Sequence, residues 1–402
     1  MISQTNRMLG AILLVSGTTI GAGMLALPVT TGLAGFVPSL IIMTAVWLFM
    51  MLTAFYFLEV NLRMKGESNL ISMMRRTLGR PGEVISWVTY LLLLYALTAA
   101  YLLGCSQIIN DFFYQKLFLN LSAWVWPLVI FILFGSFVYL GTTGADLFNR
   151  FMMVGLVISY IALTGVGCCK VTPQLLTHVD WAFLFPSLSV VVTSFGFHVI
   201  IPTLTTYLDH DVKLLKWSIF LGSLIPFLVY VLWQFLVMGV VPVYGEISLS
   251  EAAEKGLQIT FFLRTLLGNP WIGTAVRAFA FFAIITSLLG VSLSLTDFLA
   301  DGLKIKRTPR GKLFLVLMTF VPPLFFTLFF PQGFIIALEY AGILVVLLLA
   351  LLPALMAWVE RYGPKPALGF EKKAPFQVPG GKIVLGGTIF VSLVLLGIEI
   401  FV

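Results

Sequence analysis

Thr18, Thr19, Ile20, Gly21, Ala22 and Gly23 lie in the stretch "GTTIGAGMLALP", Gly17 to Pro28, inside an otherwise apolar run. Glycine costs a helix interior about 1 kcal/mol relative to alanine, and it also lets a ligand approach the backbone closely. In hydrocarbon an unpaired N–H or C=O is expensive, so a break at membrane depth must be completed by protein, water or a solute. Such a break makes two half-helices. The first ends in free carbonyls suited to an ammonium or a cation; the second begins with free N–H groups suited to a carboxylate. An α-amino acid zwitterion carries both charges, and the Thr18 and Thr19 hydroxyls can satisfy what it leaves unpaired. The alternative is that Gly21 and Gly23 only allow close helix packing.

A second interruption, "VVTSFGFHVIIP", runs from Val191 to Pro202. Aligned on the first, it sets Thr193 on Thr19 and Pro202 on Pro28. Ser194 and Gly196 can expose backbone here, and Phe195 and Phe197 can wall an apolar or aromatic side chain. His198 serves either as an interhelical hydrogen-bonding residue or in substrate contact and proton movement. Tyr95, Thr98 and Tyr101 share one helical face through their spacing of three. That face offers hydroxyls to a substrate or simply packs; Ser287 and Ser292 are further polar contacts. Other ionisable groups at depth are few. Glu59, Arg277, Asp297, Asp301 and Glu339 lie near span ends, as interfacial residues or gates, and Arg277 and Glu339 share the outer side.

The elements that position these residues follow from composition. Of 402 residues, 60% are hydrophobic and 10% charged, against roughly a quarter charged in a soluble domain. Apolar stretches recur along the whole chain at the length of a membrane helix, roughly 9–35, 37–61, 84–109, 123–141, 149–169, 186–208, 217–241, 273–299, 312–330, 333–358 and 383–401. The expected fold is an all-α polytopic membrane protein of eleven spans. Most of the 24 Lys and Arg fall in alternate loops, near 63–80, 304–312 and 361–382. That bias predicts a cytoplasmic N-terminus and an outward C-terminus, and it explains the net charge of +7 better than nucleic-acid binding does. The segments 242–272 and 67–82 read as surface amphipathic helices.

The two interruptions fall in spans one and six. Five spans separate them, so they enter the membrane from opposite faces, as in transporters built from inverted repeats. The expected units are 1–170 (spans one to five), 171–360 (spans six to ten) and 361–402, a loop and the last span. Cys105, Cys168 and Cys169 suggest neither a disulfide framework nor a metal site. No phosphate loop, zinc motif or clustered catalytic group is present, so no enzyme, cofactor or ATP-driven mechanism is expected. The first span is too long for a cleaved signal. A channel lacks a polar path through these spans, and a sensor lacks a soluble output domain.

"SGTTIGAGMLALP" (16–28), "YALTAAY" (95–101), "DLFNRF" (146–151), "SFGFH" (194–198) and "FVPPLFFTLFFPQGF" (320–334) together resemble the bacterial aromatic amino acid permeases. These form the hydroxy/aromatic amino acid permease family of the amino acid–polyamine–organocation superfamily. The resemblance covers nearly the whole chain. It implies an inner-membrane protein with the 5+5 inverted fold of the leucine transporter, importing tyrosine, tryptophan or both by proton symport. It also implies a substrate main-chain site at Gly17 to Gly23 and Ser194 to His198. One feature departs from many proton-coupled superfamily members: no lysine lies between Arg150 and Lys170. Coupling would then fall to His198, to Glu339 or Asp297, or to another cation, with uncoupled exchange as the remaining alternative.

Overall fold

The structure, a computed structural model, describes residues 4–21, 23–64, 69–117, 122, 124–140, 142–268, 270–363 and 375–401. Helix α1 (Gln4–Thr19) and α2 (Gly23–Gly32) meet at a bend of 55°. Gly35 then turns the chain into α3 (Phe36–Arg63). Its φ is +95° and a Cβ there would overlap the His178 carbonyl oxygen at 1.9 Å, so only glycine fits. Helix α4 (Leu70–Leu117) is interrupted at Gly79, φ +72°, which separates its first turns, in the segment read as amphipathic, from the span. There follow α5 (Val125–Leu140), α6 (Thr142–Gly167), α7 (Leu188–Ser194), α8 (Ile201–Tyr207) and α9 (Val212–Val240). The Asp211 carboxylate caps α9 by accepting from the N–H groups of Lys213 and Leu214. The segment read as a surface helix forms two short ones, α10 (Leu249–Glu254) and α11 (Ile259–Leu267), before α12 (Pro270–Gly302) and α13 (Pro309–Phe329). Helix α14 (Phe334–Val345) continues through a π-helical turn, Val346–Leu351, into α15 (Leu352–Tyr362). The described chain ends with α16 (Gly381–Phe401).

Among the described residues nine helical segments are long and apolar enough to cross a membrane, with α7–α8 and α14–α15 each counted once. Counting the bent pair α1–α2 as one span makes ten. Helix α5 stands where the fourth of the eleven expected spans was placed, but at 16 residues it is shorter than the about 20 that a bilayer core asks for.

Helix neighbours repeat under exchange. The α1–α2 pair packs on α9, and the α7–α8 pair packs on α3; α6 packs on α12, and α14 on α4; α5 packs on α4, and α13 on α12. The cross pairs α3–α9, α4–α12 and α5–α13 also touch. A two-fold axis in the membrane plane would generate this pattern.

Prolines tie these helices together. Proline has no N–H, so the carbonyl four residues earlier loses its helical donor. Pro28 orphans Met24, whose carbonyl accepts from the Trp233 indole of α9 at 2.9 Å. Pro226 in α9 orphans Gly222, whose carbonyl accepts from the Ser16 hydroxyl of α1 at 2.9 Å. Pro322 in α13 orphans Met318, whose carbonyl accepts from the Tyr95 hydroxyl of α4 at 2.8 Å. Each gap in one helix is closed by a side chain from its neighbour.

At the ends of α3 and α15, the carboxylate of Glu59 and the guanidinium of Arg361 form a buried pair, with side chains 0% and 2% exposed. Arg361 Nε donates at 2.7 Å, and the Val378 N–H donates to Glu59 Oε2 at 2.8 Å. Arg63 pairs with Glu360 alongside. Glu59 therefore holds α3, α15 and the approach to α16 together. Removing one partner of such a pair costs about 3–5 kcal/mol.

Candidate functional site

The first break lies between α1 and α2. The hydroxyls of Thr18 and Thr19 turn back on their own helix and donate to the Leu14 and Val15 carbonyls at 2.7 and 2.8 Å, a bond that tends to bend helices. Thr18 is exposed and Thr19 buried; Ile20 and Gly21 are half-buried. Ala22 lies outside the described residues. Gly21 faces α12: a Cβ on it would stand 2.9 Å from the Ser287 hydroxyl oxygen. Gly23 faces the second break, its Cβ position 3.2 Å from the Ser194 hydroxyl oxygen. A side chain at either position would have to displace a serine hydroxyl, more so at Gly21 than at Gly23.

The second break follows α7. Phe195 takes φ, ψ of −110°, 19°, outside the helical region, and the α-helical ladder stops there. A single 3₁₀ turn, His198–Ile200, then leads into α8. The aromatic side chains are held by neighbouring rings. Phe195 packs edge-on to Tyr230 and near Phe227 of α9, while Phe197 lies against His198; both are fully buried. Gly196 packs against Val345 and Leu349, beside the π turn of the α14–α15 helix.

One side chain reaches both breaks. The Tyr230 hydroxyl of α9, fully buried, lies 2.7 Å from the Thr19 carbonyl oxygen and 3.2 Å from that of Ser194. These carbonyls close α1 and α7, where the helical ladder stops. Three residues on, Trp233 serves Met24, and Gln234 donates to the Thr31 hydroxyl at 2.6 Å. Sequence reasoning missed Tyr230 and Trp233. Pro28 does announce an orphaned carbonyl at Met24, but it does not name the donor.

The other expected residues are more dispersed. Tyr101 is buried in α4, within electrostatic reach of Tyr230. Of its face-mates, Tyr95 is committed to α13 and Thr98 bonds the Leu94 carbonyl of its own helix. His198 is wholly buried and its Nε2 pairs with the Thr53 hydroxyl of α3 at 2.9 Å. Its Nδ1 has no hydrogen-bond partner among the described residues. Asp297 pairs with Arg307 at 2.6 Å, a half-exposed bridge between the last turns of α12 and the loop after it. Arg277 is half-buried in α12. Glu339, in α14, lies within electrostatic reach of Glu399 of α16, whose carboxylate accepts from the Ser189 hydroxyl of α7. Ser287 and Ser292 bond the Ala283 and Leu289 carbonyls of their own helix.

Beyond the second break, a cavity of about 290 Å³ is lined by Val199, Pro202, Thr203 and Thr206, with Asn69, Leu70, Ile71, Tyr90 and Phe298 opposite. It adjoins the Arg-rich face, at the start of α4.

A tryptophan/tyrosine permease family model matches residues 4–399. Among individual relatives, "Tyrosine-specific transport system 1" of Haemophilus influenzae is 33% identical over 94% of this chain and 93% of its own. The "Tryptophan-specific transport protein" of the same organism is 31% identical, covering 98% and 96%. The "Low affinity tryptophan permease" of Escherichia coli is 28% identical over 96% and 92%. A solved structure of MhsT in complex with L-phenylalanine superposes with a TM-score of 0.69 at 14% identity, covering 98% of this chain and 97% of that one. The likeness shows the fold, an all-α polytopic fold of the leucine-transporter type.

Proposed function

The chain belongs to the tryptophan/tyrosine permease family, a family of membrane transporters and not of enzymes, and from that premise we propose that it imports tyrosine by alternating access. The observation that carries this reading is the meeting of the two breaks, where Gly23 abuts Ser194. The substrate carboxylate takes the opening turn of α2, where a helix start presents N–H groups to an anion. The ammonium takes carbonyls of the unwound residues beyond α1 and α7, among Ile20 to Gly21 and Phe195 to Phe197. The aromatic ring lies toward Tyr101 and the Ser287 side of α12. A site that hydrogen-bonds the phenol rejects phenylalanine, because it would otherwise leave a buried polar group unpaired.

We further propose that uptake is coupled to protons, with His198 and Glu339 as the candidate carriers. Residues 1–170 and 171–360 are the two inverted halves of the fold, and the N-terminus faces the cytoplasm of a bacterial inner membrane. Relatives named for tryptophan at similar identity favour a second reading, a shared pocket for both amino acids.

Radiolabelled tyrosine uptake into proteoliposomes, with pH and sodium gradients imposed separately, tests these readings. Saturable uptake driven by an inward proton gradient is expected. Block by unlabelled tryptophan identifies the shared pocket. Uptake indifferent to both gradients removes the symport claim, and absence of saturable binding or uptake of either amino acid overturns the substrate class.

A further inference from the structure

In broken-helix transporters, unwound carbonyls and the C-terminal ends of half-helices coordinate a coupling cation, since hard cations take oxygen ligands. Here the terminal carbonyls of both first half-helices, Thr19 of α1 and Ser194 of α7, converge on one point. That point is occupied by a side chain of this chain, the Tyr230 hydroxyl, at 2.7 and 3.2 Å. The phenol has one proton and so donates to one carbonyl at a time; the shorter distance assigns it to Thr19. The ring is fixed by edge-on packing against Phe195, at 5.5 Å between centroids, and by complete burial in α9. Neighbouring donors from α9 are committed elsewhere, Trp233 to Met24 and Gln234 to Thr31.

We propose that the Tyr230 hydroxyl is a built-in occupant of the seat between the Thr19 and Ser194 carbonyls, doing there what a monovalent cation would do, so that substrate loads without a cation at this position. The inference rests on the substrate-site reading above and adds a positioning residue to it. Tyr230 does not touch the substrate on this account. It gives its one proton to the Thr19 carbonyl, within reach of the Ser194 carbonyl, and so holds the two breaks in register. Losing the hydroxyl leaves an opening of atomic size, lined by two carbonyl oxygens, for sodium or lithium to enter.

The test compares the full-length protein with Tyr230→Phe in detergent and in proteoliposomes, in sodium, lithium and choline salts. Two readouts are taken: equilibrium binding of radiolabelled tyrosine and tryptophan, and the melting temperature without substrate. The wild type is expected to melt at the same temperature in all three salts. Tyr230→Phe is expected to bind at least tenfold more weakly in choline, to regain most of that in sodium or lithium, and to melt higher in those salts. Trp233→Phe, which loses a bond from the same helix but leaves the seat intact, should show no such cation response. Should Tyr230→Phe not yield monodisperse protein, Tyr230→Asn carries the same comparison. Wild-type affinity of the variant in choline overturns the proposal, and so does a loss that sodium and lithium leave unrelieved. If the wild type itself binds neither amino acid, the substrate reading fails instead, while the melting data still judge the seat.

Discussion

The two breaks solve one problem by different means. The first is made of small residues: Gly21 and Gly23 bring backbone within contact distance of the Ser287 and Ser194 hydroxyls. The second is made of large ones: Phe195, Phe197 and His198 are wholly buried and anchor the unwound segment in α9 and α3. One break admits its neighbours closely by lacking side chains. The other keeps its shape by packing large side chains on α9 and α3. The difference teaches that glycine and aromatic residues shape a break in opposite ways, one by letting a neighbour in and the other by filling against it.

The sharpest way to break this contrast is at Gly21. A valine there places its Cβ 2.9 Å from the Ser287 hydroxyl oxygen and adds two methyl groups beyond it. Uptake is expected to fall at least about a hundredfold with membrane insertion unchanged, equivalent to about 2.7 kcal/mol. Ser287→Ala in the same background should restore only a small part. Normal transport by Gly21→Val removes the small-residue account of the first break.

At the second break, Phe195→Leu should cost about 1–1.5 kcal/mol of stability through lost aromatic packing. It should leave the ratio of tyrosine to phenylalanine uptake unchanged, as competition assays would show. A changed ratio returns Phe195 to the pocket wall. Thr53→Val and His198→Leu each remove a partner from a buried hydrogen bond and should cost about 1–3 kcal/mol apiece. Their combined loss in melting experiments should fall well short of the sum if the two act as one unit. A shifted pH profile of uptake in His198→Leu, absent in Thr53→Val, would instead assign the histidine to proton movement.

The smallest effect tests the stitching of the first break to α9. Ser16→Ala leaves the Gly222 carbonyl without a donor and should cost about 1 kcal/mol. Pro226→Ala restores an N–H four residues on, so the pair of substitutions should recover much of that loss. Additive destabilisation in the double variant argues against the proline account.

Much of this was legible in the sequence. Apolar length and charge bias gave the polytopic all-α class, and Gly21, Gly23 and Gly196 marked the two interruptions because few residue types belong less in a buried helix. The partners across helices were not legible. Tyr230 is one of 12 tyrosines, and nothing in the residues around it says that its hydroxyl meets Thr19. Glu339 read as a companion for Arg277 by shared side of the membrane; the structure puts Glu399 within its electrostatic reach, a contact with the last helix that span order does not reveal. Glu59 read as an interfacial group or a gate because its partner, Arg361, lies about 300 positions further along, beyond any local pattern.

From Gly222 to Gln234 the bonds between α9 and α1–α2 cover about 18 Å of helix length at 1.5 Å per residue. Each bond names a particular carbonyl or hydroxyl, so a slide of one residue would undo all of them together. The three helices are therefore locked against sliding along one another. Whatever displaces α9 carries the first break with it.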